Sequence, residues 1–407
     1  MLRLCDKDDK TIRATRAMSR SAAITRWWNQ AGNRALLFQA LLILSVVLFF
    51  FLIGATALDN LERQGITSGF AFLSQKAGFG IIQTLVSYSE SSTYGRTFLV
   101  GLLNTILVSV LGIICATLLG FFVGVARLSS NWLIAKLAEI YIEIFRNLPL
   151  LLQIFFWYFA VLRSLPLPRS SLQLGDWLFL NIRGIYIPRP LPEQGFTLLA
   201  IIFLLSIAGV CALKIWARRY QEKTGTELPT LAASLAIFII PSAITWFATG
   251  GPLHWELPSL QGLNFKGGLT VIPELAALLL ALTVYTSSLI AEIVRSGILS
   301  VSHAQTEAAR ALGLSQGKIL RLVIIPQAMR VMIPQMTSQY LNLVKNSSLA
   351  TAIGYPDLVS VFAGTTLNQT GQAIEIIAMT MAVYLTINLT ISWLMNRYNA
   401  RTLLQEQ

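Results

Sequence analysis

The chain has 407 residues, of which 55% are hydrophobic and 12% charged; its mean hydropathy is +0.64, a balance that a water-soluble protein of this length cannot hide inside a core. The bilayer must therefore be the solvent for much of its surface. The net charge of +12 would suit a nucleic-acid binder if it were clustered, but it is distributed in a way that reports membrane orientation instead.

A spanning helix needs roughly 20 mostly apolar residues. Apolar runs near 36–57, 98–126, 140–162, 196–214, 230–248, 271–293, 323–345 and 374–396 predict an all-α integral membrane protein with about eight transmembrane helices. Residues 1–35 form a basic tail, with Trp27 and Trp28 suited to the membrane interface. The run at 36–57 reads as a retained N-terminal transmembrane helix rather than a signal peptide, because it follows a long basic lead and no small-residue cleavage site comes after it. The stretch 58–97 is rich in Gly and Ser and too polar to span. Further on, Pro166, Pro168, Pro188, Pro190 and Pro192 mark 163–195 as an extended, solvent-side excursion. Two short spans with a basic link come next, then a Pro- and Gly-bearing loop at 249–268.

If the N-terminus is cytoplasmic, an even number of crossings returns the C-terminus to the same side. Segments 1–35, 127–136, 214–229, 294–322 and 395–407 then carry 20 of the 31 Lys and Arg residues, while 58–97, 163–195, 249–270 and 345–373 carry 9. That is the positive-inside bias. Segment 163–195, with Arg163, Arg169, Arg183 and Arg189, is the exception on the outer side.

Chemistry-bearing clusters are scarce. Cys5, Cys115 and Cys211 are scattered, and His254 and His303 are isolated, so neither a disulfide framework nor a metal site is expected. No His/Asp or Ser/His grouping suggests catalysis. Gly317-Lys318 lacks the upstream Gly and the following Ser or Thr of a phosphate-binding loop, so nucleotide hydrolysis is not expected of this chain.

One long polar stretch after a span, 296–322, still reads as helix. Ala304 to Leu312 are good helix formers, Gly313 suits the left-handed residue that ends a helix, and Ser315 can cap the next one. Pro326 and Pro334 then fall inside the following span and should kink it. The small residues Ala308, Ala309 and Ala311, with Glu307 as a charge, suit a short helix that enters a groove on a partner. The same pattern suits an interfacial helix that only covers the end of the bundle.

The residues Glu307-Ala308-Ala309, Gly313 and Pro326 resemble the signature of ABC-importer permeases, with Val323 and Ile325 in place of the usual isoleucine and leucine. Ile144-Phe145-Arg146-Asn147-Leu148-Pro149-Leu150-Leu151-Leu152-Gln153 is similar to a motif of the polar amino-acid (His/Glu/Gln/Arg-type) branch, which usually has Gly-Thr at Asn147-Leu148. Ala291 to Ile298 and Leu343 to Leu349 look like the same branch. The resemblance implies a type I permease core over 98–396, with an extra N-terminal helix, a two-helix insertion at about 164–268, a coupling helix at about 304–314 and a cytoplasmic tail at 397–407. The extended layout resembles a permease subunit of the general L-amino-acid importer.

That resemblance further implies a multi-pass protein of the bacterial inner membrane. Its partners would be an ABC ATPase subunit, a homologous second permease and a periplasmic amino-acid-binding protein. ATP and Mg would be used by the ATPase, with no cofactor in this chain. Glu307, Ala308, Ala309 and Gly313 would couple to the ATPase.

Among charged groups near the spans, Lys136, Glu139, Glu143 and Arg146 are spaced to pair along one helix face, as are Glu292 and Arg295. Lys345, with Asn346, Ser347 and Ser348, offers donors that suit an amino acid's carboxylate, or else an ammonium that snorkels to the outer interface. Gly120 and Gly124 allow close helix approach, within the chain or between chains. A secondary transporter driven by an ion gradient is the main alternative; it would call for inverted repeats and mid-span acids, neither of which is evident.

Overall fold

A computed structural model describes residues 31–63, 69–226 and 228–403. Cys5, Trp27, Trp28 and most of the basic tail lie outside the described residues, as do the last residues of the C-terminal tail. The chain divides into two units, 1–70 and 71–407. In the first, α1 (Ala31–Arg63) is apolar enough to cross a membrane over Ala31–Thr56, and its large side chains from Leu36 to Ile53 are exposed, save the half-buried Leu37. A helix apolar on every face suits a lipid surround.

The second unit is built on a pair of long helices, α2 (Tyr94–Arg127) and α3 (Trp132–Asn147) following it. At the start of α2 the Thr93 hydroxyl accepts the Arg96 N–H, and Asn131 caps α3 by accepting from Leu133 and Ile134. After Asn147 the chain turns by 105° into α4 (Leu150–Phe155), which continues to Ser164 through a wider π-type turn. Pro149 causes the break, since it forces Leu148 out of helical geometry to φ −90°, ψ 132°. The run expected as one span over 140–162 is thus a bent pair, and among the described residues there are seven helices long and apolar enough to cross, or eight counting that pair.

The excursion after α4 is not loop but short strands. β1 (Leu172–Leu174), β2 (Leu178–Asn181) and β3 (Gly184–Ile187) join β8 (Leu269–Val271) in a four-stranded antiparallel sheet ordered β1-β2-β3-β8. β4 (Arg189–Pro192) pairs with β5 (Leu253–Glu256), and β6 (Ser259–Gln261) with β7 (Asn264–Lys266). Between β4 and β5 rises a helical hairpin, α5 (Phe196–Thr224) and α6 (Thr230–Ala248), whose rings Phe203 and Phe238 meet at 5.1 Å.

From β8 the chain enters α7 (Pro273–Leu299), the most buried of the candidate spans. α2 packs against it through the Gly120/Gly124 seam. A Cβ at Gly120 would stand 2.7 Å from Ile290 Cβ, and one at Gly124 2.7 Å from the Ala291 carbonyl oxygen. The two glycines therefore serve helix packing inside this chain. α8 (His303–Ala311) and α9 (Gln316–Ile319) follow, then a π-type turn at Leu320–Ile324 leads into α10 (Ile325–Asn346). Pro326 thus falls in the first turn of α10, where its missing N–H is tolerated, and Pro334 alone lies inside that helix. After α10, turns over Ser347–Ile353 and Val359–Thr366 and the short α11 (Leu367–Thr370) lead to the last span, α12 (Ala373–Leu403).

From residue 71 onward the Gly- and Ser-rich stretch before α2 is anchored to the bundle. Phe72 is buried against Tyr94 and Phe362, with ring centroids at 6.3 and 6.2 Å, and Lys76 bridges to Thr93. Apolar burial of this size holds a segment that has little secondary structure of its own.

Candidate functional site

α7 has the β-sheet at its first residue and α8 at its last. Its 27 residues at 1.5 Å each separate the two by about 40 Å, a full membrane crossing. Two sites of interest follow from that geometry, one at each end of the bundle.

At the α8 end, Ser302 caps the helix by accepting the Ala304 N–H, and Gly313, at φ +76°, ends it. The Leu314 N–H reaches back to the Ala309 carbonyl at 3.2 Å and the Gly313 N–H to Arg310 at 2.9 Å. This doubly bonded helix end requires a left-handed residue. A Cβ on Gly313 would meet no neighbour within 4 Å, so only backbone conformation demands glycine there. Ser315 sits at the start of α9 with the right backbone but makes no side-chain cap. Arg310 Nη2 donates to Gln316 Oε1 at 3.3 Å, tying α8 to α9.

Glu307, Ala308, Ala311 and Leu312 are exposed on α8, Leu312 by 80%. Ala304, Ala308 and Ala311 share one face by helical spacing and leave a smooth surface beside the Glu307 carboxylate. Ala309 departs from that face: it is buried and turned toward the bundle. It therefore supports the helix from behind and offers no side chain to a partner.

Ion pairs lie on the helices that approach this end. Glu139 bridges Arg127 at 3.2 Å and Lys136 at 3.4 Å, Glu143 meets Arg146 at 3.9 Å, and Glu292 receives two hydrogen bonds from Arg295 at 2.7 and 3.0 Å. These groups are partly exposed, so each pair adds little stability but fixes side-chain positions.

The bend at Pro149 has its own support. Gln153 is buried, and its Nε2 donates to the carbonyls of Phe145 and Leu148 at 3.0 and 3.1 Å, groups that the broken helix would leave unpaired.

At the other end, Lys345 is exposed and lines a cleft of about 380 Å³ with Ser348, Val359, Thr380, Tyr384 and Asn388. Asn346 is half-buried at the end of α10. Ser347 does not face the cleft: it is buried and its hydroxyl donates to the Val344 carbonyl at 2.7 Å. Behind it lies a polar cluster that the sequence reading missed. Asn104 Nδ2 donates to Pro356 O at 2.9 Å, Tyr355 donates to Asn104 O at 3.2 Å, and the Leu358 N–H donates to Thr105 Oγ1 at 3.0 Å. Asp357 is 1% exposed and accepts the Ser360 N–H at 2.8 Å and the Tyr384 hydroxyl at 3.4 Å. Burial pushes its carboxyl up to about 7, against the pull of the hydrogen bonds from Ser360, Val359, Tyr384 and Thr351. The signal in sequence was a single acid within the apolar stretch that follows Lys345.

The comparisons with known proteins agree with this architecture. The model of the family described as "Binding-protein-dependent transport system inner membrane component" matches residues 109–403. The putative amino-acid ABC transporter permease protein YhdX of Escherichia coli is 57% identical over 92% of this chain and 95% of its own length. The general L-amino acid transport system permease protein AapQ of Rhizobium johnstonii is 46% identical over 92% and 93%. The glutamate/glutamine/aspartate/asparagine transport system permease protein BztB of Rhodobacter capsulatus is 41% identical over 91% and 95%. With a family model spanning well over half its length and relatives this similar along almost all of it, the chain belongs to the inner-membrane components of binding-protein-dependent transport systems.

Proposed function

We propose that this chain is the permease subunit of an ATP-driven importer of amino acids, with α8 as the element that receives the stroke of a separate ATPase subunit. The observation that carries the reading is α8 itself: a short, capped, exposed helix with a smooth alanine face and one carboxylate, held between two spanning helices. The printed functions of the relatives support amino acids as the cargo. The partners are an ATPase that uses ATP and Mg, a homologous second permease and a periplasmic binding protein that delivers the substrate. Both termini are cytoplasmic in the bacterial inner membrane, and the β-sheet is periplasmic; the 20-to-9 distribution of Lys and Arg supports this. Closure of the ATPases moves α8, and through it the ends of α7 and α10, so the pathway opens to each side in turn.

Gly313→Val tests the role of α8. Valine in the left-handed region costs on the order of 1 kcal/mol or more, too little to prevent insertion but enough to re-aim the helix. Glu307→Lys reverses the one carboxylate on the docking face. Both variants are expected at normal levels in the membrane, with uptake lost and ATP hydrolysis no longer stimulated by the loaded binding protein. Normal uptake by Gly313→Val with the ATPase still bound would reduce α8 to an interfacial helix.

At the far end, Lys345 and Asn346 contribute donors to the substrate path, and Ser347 shapes its wall from behind. The exposed ammonium makes no ion pair among the described residues, which supports a role for it in receiving a carboxylate.

A further inference from the structure

We propose that the polar pocket under the β2–β3 turn is a holding site for the zwitterionic end of an amino acid entering the bundle, an inference that rests on the importer reading above. The pocket has a volume of about 480 Å³, within the range of roughly 300–1,000 Å³ usual for small-molecule sites. Three stretches distant in sequence converge on it: Gln83 and Thr84 from the segment before α2, Arg183 and Tyr186 from the β2–β3 hairpin, and Asn264 and Thr270 from the strands preceding α7.

Its chemistry suits a paired charge. Arg183 is the one charged residue in the lining, and among the described residues its guanidinium has neither an ion pair nor a hydrogen bond. Such a planar fork of donors matches a carboxylate in two-point contact. Its charge is felt inside the pocket, where it opposes the burial that pushes the Tyr186 hydroxyl up. Gln83 supplies the complement, since its Oε1 is buried without a hydrogen-bond partner. A buried amide oxygen left so signals a missing donor, and a half-turn of the amide can present either end to the pocket. An ammonium beside the bound carboxylate provides that donor.

The walls are built to hold shape. The Arg183 N–H donates to Asn181 Oδ1 at 2.9 Å, and Asn181 Nδ2 donates to Ser171 Oγ at 3.0 Å, so one buried side chain fixes the turn that carries the arginine. Tyr186 packs on Phe265 at 4.9 Å and donates to Asn264 Oδ1 at 3.0 Å. Gly184, at φ +130°, lets β3 press on the Val271 carbonyl, which any Cβ would strike. Residues locked in this way before a ligand arrives spare it the cost of ordering them.

The pocket also leads inward. The main-chain oxygen of Gln83 accepts from Asn104 Nδ2 at 3.0 Å, and the same Nδ2 donates to Pro356 O at 2.9 Å. The floor of the pocket is thus joined by one side chain to the cluster around Asp357.

The test uses the full transporter: this chain with its second permease and ATPase, solubilised without binding protein. Equilibrium binding of radiolabelled L-glutamine is compared with that of its α-amide, which lacks the carboxylate. The wild type is expected to bind L-glutamine at least tenfold tighter than the amide, Arg183→Gln to abolish the difference and Arg183→Lys, which keeps the charge but not the fork, to restore part of it. Arg183 sits on an exposed turn whose fixed point is its backbone N–H, so both variants keep the fold. Equal binding of acid and amide by the wild type, no detectable binding, or an unchanged preference in Arg183→Gln would each overturn the pocket. In proteoliposomes of the same preparation, a higher requirement for loaded binding protein in Arg183→Gln with unchanged glutamine binding would make the arginine a docking contact and overturn the pocket while sparing the importer. Absence of uptake by the wild type would remove both.

Discussion

The Asp357 carboxyl is buried beside Tyr384, Thr351 and the Ser360 N–H, with no ion pair among the described residues. Its folded pKa of about 7 lies well above the ordinary value of about 3.9. The folded state therefore holds a proton that the unfolded chain releases, and stability from this group falls as pH rises from about 4 to about 7, then levels off. Asparagine keeps an acceptor for Ser360 and cannot ionise. Thermal unfolding of the solubilised subunit should thus show Asp357→Asn more stable than wild type at pH 8 and less sensitive to pH between 5 and 7; a wild type that gains stability over that interval would contradict the assignment. Lys345 belongs to the same region but faces the cleft. Lys345→Met is expected to lower substrate uptake with subunit assembly intact, measured on purified transporter, and unchanged uptake would remove it from the path. Lys345 could be singled out from sequence because a charge among hydrogen-bonding residues at a span end is conspicuous. Asp357 stands out in sequence only as a lone acid in an apolar stretch; its burial was not legible, because Tyr384, which bonds it, and Asn104 and Thr105, which bond its chain neighbours Pro356 and Leu358, come from remote helices that only the fold brings together.

The α2–α7 seam shows what one element demands of another. Gly124 is closed in by the Ala291 carbonyl at 2.7 Å and Val294 at 2.8 Å; backbone at that distance cannot yield as a flexible side chain can. Gly124→Val should separate the helices and destabilise the unit by a few kcal/mol, seen as a lower melting temperature and poorer recovery from membranes. A wild-type melting temperature would show that the seam is looser than these distances. Helix ends were readable where one residue type is physically required, as Gly313 is for a left-handed turn. The size of the bend at Pro149 was not, because Gln153 reads as one polar residue in an apolar run until its partners are known. The strands were also hidden. They are three or four residues long, and Pro190 and Pro192 in β4 argue against a sheet interior; they are accommodated because β4 belongs to a two-stranded ribbon with a free edge.

At the scale of the whole molecule, hydropathy made the number of crossings and the all-α bundle legible, because lipid imposes length and apolarity on every spanning helix. The order of helices and the small β-sheet between the inserted hairpin and α7 needed long-range contacts that composition does not carry. Charge asymmetry supports the orientation, and the length of α7 sets α8 and the sheet that carries Arg183 about 40 Å apart. The main alternative to an ATP-driven importer is transport powered by an ion gradient, which would require only this chain. The decisive measurement is amino-acid uptake into proteoliposomes, comparing the complete transporter supplied with ATP and loaded binding protein against this chain alone under an imposed proton or sodium gradient. Accumulation that needs ATP, the ATPase and the binding protein, and that persists when a protonophore collapses the gradient, is the expected result; accumulation by the chain alone, driven by the gradient without ATP, would contradict it.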